Sequence, residues 1–295
     1  MAVAATAARS IAELVSRATI KMAETGIERP ALDAEVMAAA AIGVSRERLL
    51  TLAGEMPPTA ADRFADFVAR RIAREPVAYI VGHKEFFSLE FEVDRSVLIP
   101  RPDSEVLAAA ALEWVEGRGG NCRVLELCTG CGAIAVAIAV NCPSAQVVAT
   151  DISPQALLVA QRNAERLQVA NRIGFQCRDL WPEAEREEDR FDLVVANPPY
   201  ISASEMATLA PEVIRFEPRI ALDGGVDGLG FYRSIAQRAR NFLSAGGGLM
   251  VEIGAGQRAA VADILVSCGA TELVTMSDLA GVVRVMSARF VSEGR

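Results

Sequence analysis

An α/β fold, with a mostly parallel sheet covered by helices and a small helical bundle ahead of it, is what this sequence predicts. Three observations carry that expectation. From Arg123 onward, short apolar runs alternate with amphipathic segments, the pattern of a parallel sheet covered on both faces. Before residue 83, three apolar stripes recur at helical spacing. Between the two regions Phe87, Leu89, Phe91 and Val93 alternate with polar neighbours, which is the period of a strand. The organisation that follows is a helical domain over 1–83, a β-hairpin linker over 84–104 and an α/β domain over 105–295.

In the first domain the stripes are Ile11, Leu14, Val15 and Ala18, then Leu32, Val36, Met37 and Ala40 after Pro30, then Phe64, Phe67, Val68 and Ile72 before Pro76. Breaks such as Pro57-Pro58 separate them, so a bundle is predicted whose stripes are packing faces with nothing catalytic in them. In the linker, the strand through Phe87–Val93 is expected to pair with Ser96–Ile99 across a turn at Asp94-Arg95. Pro100-Arg101-Pro102-Asp103-Ser104-Glu105 then leads into a helix ending near Glu116. It reads either as a capped helix start, with Ser104 or Asp103 as the cap, or as the wall of an active site.

The α/β domain is predicted as strand Arg123–Leu127, a loop, helix Ala133–Val140, strand Gln146–Thr150 ending in Asp151, and a helix opened by Ser153-Pro154. Strands Ile173–Cys177 and Phe191–Ala196 follow. A helix near Gly230–Leu243 leads through Gly246-Gly247-Gly248 into a strand at Leu249–Ile253, and Glu272–Met276 and Val282–Phe290 read as sheet-edge strands.

The chain has 295 residues, is 52% hydrophobic, and carries a net charge of −8. That balance argues against a protein holding nucleic acid mainly through its phosphates. No apolar run of about 18 residues predicts a membrane span, and no signal peptide can be read, so a cytoplasmic location is expected. The six cysteines are expected to be reduced thiols. Cys128 and Cys131 form a C-x-x-C pair, but no second pair exists to complete a metal site. Small side chains beneath a cofactor explain the pair better, and no metal is expected.

Two stretches carry chemistry. Asn197-Pro198-Pro199-Tyr200 directly follows the apolar run ending at Ala196. The prolines stiffen the backbone and leave carbonyls free, so an Asn oxygen and a neighbouring carbonyl could take both hydrogens of a planar NH2 group. A simple turn is equally open from these four residues. Glu126-Leu127-Cys128-Thr129-Gly130-Cys131-Gly132 lies at a strand end, where glycines permit a tight turn and the following helix offers free N–H groups. About twenty residues on, Asp151 ends the next strand, suited to two ribose hydroxyls. A nicotinamide enzyme would need a proton donor, but the single histidine, His83, lies in the linker. S-adenosylmethionine, an activated methyl donor, needs none.

Glu126–Gly132, Asp151-Ile152-Ser153-Pro154 and Asn197–Tyr200 resemble the class I S-adenosylmethionine-dependent methyltransferases that act on planar nitrogens. Glu75–Gly82, Leu98–Glu105, Phe216–Leu222, Asp227-Gly228-Leu229 and Glu252-Ile253-Gly254 narrow the resemblance to the PrmC/HemK family, which methylates the glutamine of the Gly-Gly-Gln motif in peptide chain release factors. The resemblance implies a Rossmann-like, seven-stranded, mostly parallel sheet, an N-terminal domain that docks the release factor, and S-adenosylhomocysteine as product. It implies that Glu126, Cys128, Thr129, Gly130, Cys131 and Gly132 surround the cofactor's methionine end, that Asp151 and Ile152 lie at its ribose, and that Asp179 and Leu180 lie at its adenine. It places Asn197, Pro198, Pro199 and Tyr200 at the substrate amide, with Asn197 also bordering the cofactor and Pro100 and Arg101 beside the substrate.

The chain departs from the family in three ways. Cys128 replaces the first glycine of the loop, acceptable only if that position needs no positive φ. Ser104 stands where the family usually has Thr. The aromatic expected directly after Asp179 is displaced to Trp181, leaving the adenine contact open between Leu180 and Trp181. The rival substrates are a ribosomal-protein glutamine and, against the acidic balance, a nucleic-acid amine. A cofactor-binding module without activity would require Asn197–Tyr200 to be incidental.

Overall fold

The computed structural model describes residues 10–183 and 190–290, so the outer ends of the expected domains, 1–9 and 291–295, lie outside the described residues. Two compact units are present. Among the described residues, one comprises 10–82 together with 210–216, the other 83–183 and 190–209 together with 217–290.

The smaller unit contains α1 (Ile11–Glu24), α2 (Pro30–Ile42), α3 (Arg46–Leu50), α4 (Pro58–Ile72) and α5 (Val77–Val81). Ser10 caps α1 by accepting from the Glu13 N–H at 3.2 Å. Prolines open α2 and α4 at the first turn, where their missing N–H costs nothing. The stripes of α1 and α4 pack inward as expected, but that of α2 is only partly so. Its buried face is Ala34, Met37, Ala38, Ala39 and Ala41, which shares Met37 with the expected stripe, while Leu32 is exposed. Alanines carry too little apolar weight to outvote a leucine in a periodicity count, yet they are what permits close helix approach. The segment from Ala210 to Phe216 belongs to this unit through a buried ionic cluster. Arg71 Nε donates to Asp33 Oδ2 at 2.7 Å and its Nη1 to Glu212 Oε1 at 3.1 Å, while Arg74 also contacts Glu212.

The larger unit opens with β1 (His83–Phe86) and β2 (Leu89–Glu92), paired antiparallel across Phe87-Ser88. The expected pairing with Ser96–Ile99 is therefore incorrect. Phe87 and Ser88 have φ of 53° and 58°, the left-handed pair of a two-residue hairpin loop that ordinarily carries Asn-Gly. Phe-Ser gives no such signal, and the loop is held from outside, with Glu105 accepting from the Phe87 N–H at 2.9 Å. Asp94 does start a turn, accepting from the Ser96 N–H at 2.8 Å, but residues 96–101 continue as irregular chain. The helix α6 (Glu105–Glu116) begins without a side-chain cap, since the Ser104 hydroxyl is engaged elsewhere.

Next come β3 (Arg123–Leu127), α7 (Ala133–Asn141), β4 (Gln146–Asp151), α8 (Pro154–Arg166), β5 (Ile173–Cys177) and β6 (Phe191–Ala196). After α9 (Ala203–Met206) and the short helix α10 (Pro211–Phe216) of the smaller unit come α11 (Gly230–Phe242), β7 (Leu243–Glu252), α12 (Arg258–Ser267), β8 (Ala270–Ser277) and β9 (Val283–Phe290). The seven-stranded sheet has the order β5-β4-β3-β6-β7-β9-β8, and only β9 runs against the others, pairing antiparallel with β7 on one side and β8 on the other. This is the expected α/β architecture. Two details differ. The glycines Gly246–Gly248 lie within β7, where the pairing with β6 shifts register, and β9 is an interior strand with only β8 at that edge.

The central helix α7 is buried on every side from Ala133 to Ala139, which is why its sequence is apolar all round. The amphipathic α11 turns Tyr232, Ile235, Ala236, Ala239 and Phe242 onto a core cluster with Leu125, Leu127, Val194, Leu249 and Val251. Chain order reverses at β3, with β4 on one side and β6 on the other, and ligands bind at the carboxyl ends of strands at such a point.

Candidate functional site

Strand register places the chemistry. Leu127 pairs with Thr150 on β4 and with Ala196 on β6, so the next residues, Cys128, Asp151 and Asn197, emerge at one level. They line a cavity with Pro100, Arg101, Glu126, Thr129, Gly130, Cys131, Ile152, Asp179, Leu180 and Pro199. Three expected site residues stand back from it. Gly132 (φ +80) caps α7, and a Cβ there would meet Ala160 Cβ at 3.0 Å, so it serves helix packing. Pro198 is buried and does not border the cavity. Tyr200 faces the Gly254 backbone instead.

Cys128 adopts φ 58°, so the condition set for its replacing a glycine is not met. The left-handed position exists and a non-glycine residue occupies it, at a cost of order 1 kcal/mol. The two residues that follow are held by β4, with the Thr129 N–H donating to Thr150 O at 3.0 Å and the Gly130 N–H to Asp151 Oδ2 at 2.9 Å. Burial raises both loop thiols, Cys131 to about 12, and keeps them protonated. All six cysteines are free.

The acids differ in their support. Glu126 is buried and accepts from the Thr129 hydroxyl and, at 3.0 Å, from the Ala135 N–H in the first turn of α7. Burial outweighs those donors and lifts its pKa to about 8. Asp151 accepts one backbone N–H on each oxygen, from Gly130 and Ser153, both at 2.9 Å. Burial raises its pKa and these bonds partly offset the rise. One lone pair on each oxygen remains for a ligand.

Leu180, with φ 64°, borders the cavity, its carbonyl held by the Thr150 hydroxyl at 2.5 Å. Trp181 lies in the core, stacked on Phe242 with centroids 4.5 Å apart. Of the two residues, Leu180 borders the cavity and Trp181 does not.

At the other end of the cavity Asn197 Nδ2 donates to Ser104 Oγ at 3.0 Å. Its Oδ1 accepts no hydrogen bond among the described residues. Arg101 Nη2 donates to the buried Glu217 carboxylate at 2.5 Å, and the Ile99 N–H reaches the same group at 3.3 Å. Gln257 secures the exit of the Asn197–Tyr200 segment, its Nε2 donating to Tyr200 O at 3.0 Å and its Oε1 accepting from the Gly254 N–H at 2.9 Å. Gly224 and Gly228 lie so close to Tyr200 that side chains would collide with its backbone. Of Ser104, Glu217, Glu252 and Gln257, the sequence offers only Ser104, within a segment that reads either as a helix start or as an active-site wall, and it singles out none of the four as a site residue. Three of them fall in or beside the stretches Leu98–Glu105, Phe216–Leu222 and Glu252-Ile253-Gly254, but only long-range contacts reveal what they do.

Sheet order and the methyltransferase small domain model, which matches residues 108–226, together place the chain among the α/β methyltransferases. The PrmC N-terminal domain model matches residues 13–82. Curated relatives narrow the class. A release factor glutamine methyltransferase of Cereibacter sphaeroides is 44% identical over 279 residues, covering 94% of this chain and 98% of its own. One from Geobacter sulfurreducens is 42% identical over 269 residues, covering 91% and 92%. The chain belongs to the release factor glutamine methyltransferase family. Among solved structures, the hMettl16 catalytic domain in complex with MAT2A 3′UTR hairpin 1 superposes with a TM-score of 0.56 over 79% of this chain and 81% of that one, at 16% identity, a likeness of fold alone.

Proposed function

We propose that this chain transfers the methyl group of S-adenosylmethionine to the side-chain amide nitrogen, N5, of the glutamine in the Gly-Gly-Gln motif of peptide chain release factors. Family membership supports the reaction, and the observation that carries the site is the orientation of Asn197, whose NH2 is held by Ser104 while Oδ1 stays unpaired.

The cavity suits the cofactor. Asp151 offers paired acceptors to a ribose diol, Leu180 and Ile152 offer apolar contact, and the carboxyl groups of Glu126, Asp151 and Asp179 suit a cationic ligand. When bound, S-adenosylmethionine supplies an electrophilic methyl group, and S-adenosylhomocysteine is the product. Cys128, Thr129, Gly130 and Cys131 border its methionine end, with Glu126 beneath them.

An amide nitrogen is a poor nucleophile because its lone pair is delocalised into the carbonyl. Asn197 Oδ1 accepts one amide hydrogen, and the Pro198 carbonyl, although its residue stands back from the cavity lining, is assigned the other, which orients the nitrogen and favours the positive charge it gains in the transition state. The proton then leaves to water, so no strong base is required. Pro199 and Tyr200 stiffen the segment, and Pro100 and Arg101 border the substrate side.

The helical unit is the release-factor docking domain in this reading, and activity on a translation factor is cytoplasmic. No helix among the described residues is long and apolar enough to cross a membrane. Mass spectrometry of a purified release factor, incubated with the chain and S-adenosylmethionine, tests the proposal. One methyl group on the Gly-Gly-Gln glutamine is expected. A methyl on another residue, or on a ribosomal-protein glutamine alone, overturns the substrate assignment.

A further inference from the structure

β7 lies beside β6, and the register pairs Ala196 with Val251, so the next residues, Asn197 and Glu252, come side by side at the strand ends. Glu252 is 1% exposed, and its Oε2 takes no hydrogen bond. The Ser104 hydroxyl and the Asn197 side chain both act on its carboxyl group, each lowering its pKa as a neighbouring donor does. Ser104 Oγ is also the acceptor for Asn197 Nδ2.

An ionised carboxyl group offers acceptors and no donor, so every partner must turn a hydrogen toward it. Ser104 accepts from Asn197 Nδ2, which leaves its own proton to turn toward an ionised Glu252. That arrangement fixes the Asn197 NH2 on the Glu252 side and leaves Oδ1 toward the cavity. A buried carboxyl group with an unpartnered oxygen is costly to the fold, so stability does not account for its presence.

We propose that Glu252 is a positioning residue that sets the direction of the Asn197 side chain, so that the carbonyl oxygen and not the NH2 meets the substrate amide. This rests on the reading that Asn197 grips the glutamine amide.

Protonation of Glu252 would reverse the relay, because a carboxylic acid can donate to Ser104, which can then donate to Asn197 Oδ1. Burial raises the Glu252 pKa to about 7; Asp103 pushes it the same way, while Ser104, Arg284 and Asn197 oppose the rise. The hydroxyls of Tyr200 and Tyr232 also feel this carboxyl group. Methyl transfer should accordingly rise with pH through neutrality as Glu252 ionises.

The test compares the full-length chain with Glu252→Gln, Ser104→Ala and Asn197→Ala, using a purified release factor and S-adenosylmethionine. kcat is measured from below to above neutral pH, and cofactor affinity by calorimetry. Glu252→Gln should lose about 10- to 100-fold in kcat above neutrality through misdirection of the amide. It should also lose the pH rise, and its cofactor Kd should stay within about threefold of the parent. Ser104→Ala, which keeps both end groups, should lose a smaller factor. If Glu252→Gln fails to fold, Ser104→Ala and the parent's pH profile decide. Parental kcat in Ser104→Ala together with a flat parental profile overturns the proposal. An active Asn197→Ala overturns the underlying reading of Asn197. Inactive Asn197→Ala with a fully active, pH-dependent Glu252→Gln overturns the positioning role alone.

Discussion

Asn197 Nδ2 donates to Ser104 Oγ across 3.0 Å, joining the end of β6 to the segment that precedes α6. The two residues are 93 positions apart in the chain, and their contact decides which half of the Asn197 amide is free for a ligand.

Asn197→Ala removes one of two acceptors for the substrate amide and leaves the cofactor end untouched. Methyl transfer should fall about 100- to 1,000-fold, the size seen when one preorganised transition-state hydrogen bond is lost. Cofactor Kd should change little by calorimetry. Equal losses in both measurements would contradict the assigned role.

Asp151→Ala should show the opposite split. Two hydrogen bonds from a ligand to a charged acceptor disappear, so S-adenosylmethionine should bind about 10- to 100-fold more weakly. A thermal melt checks that loss of the Gly130 and Ser153 N–H acceptor has not unfolded the loop. Unchanged Kd would remove Asp151 from the cofactor site.

The cofactor-free chain should become less stable as pH rises from about 4.5 to about 8. The ordinary glutamate value is 4.5, and Glu126 and Glu252 are raised by burial to about 8 and about 7. In that window the folded chain binds more protons than the unfolded chain, so stability falls with pH. The contribution is fully present below the unfolded value and lost as pH passes through the folded values. Glu126→Gln should flatten the trend, its unfolding free energy gaining on the parent's by on the order of a few kcal/mol toward pH 8. A parental melting temperature that rises over this range would refute it.

Gly224→Ala tests the close approach behind Tyr200. The new Cβ would meet Tyr200 Cα and carbonyl carbon at 2.8 Å, with backbone that cannot yield cheaply. A loss of about 1–3 kcal/mol is expected from overpacking, read by denaturant unfolding. Activity should fall with it, because the displaced backbone adjoins Asn197. Full activity with parental stability would show the segment to be more pliant than its contacts imply.

Arg71→Ala probes the helical unit. Asp33 and Glu212 lose their shared partner while staying mostly buried. Breaking such a pair from one side costs about 3–5 kcal/mol. A downward shift of unfolding in calorimetry is the expected result, and an unchanged trace would contradict it.

Residue order alone determined the α/β class, the strand limits from Ile173 to Ala196 and the placement of Cys128, Asp151 and Asn197 at strand ends. These are local matters, set by runs of apolar residues and by glycine and proline, whose backbone limits act within a few residues. The tertiary structure decided what depends on contacts distant in sequence. The hairpin turns at Phe87-Ser88 because Glu105 binds its backbone, and Cys128 tolerates positive φ because β4 holds its neighbours. Leu180 faces the cavity because Thr150 fixes its carbonyl, while Trp181 finds Phe242. The direction of Asn197 belongs to the same group. An amide side chain has two nearly identical ends, and only the Ser104 hydroxyl and the Glu252 carboxyl, brought alongside by folding, distinguish one from the other.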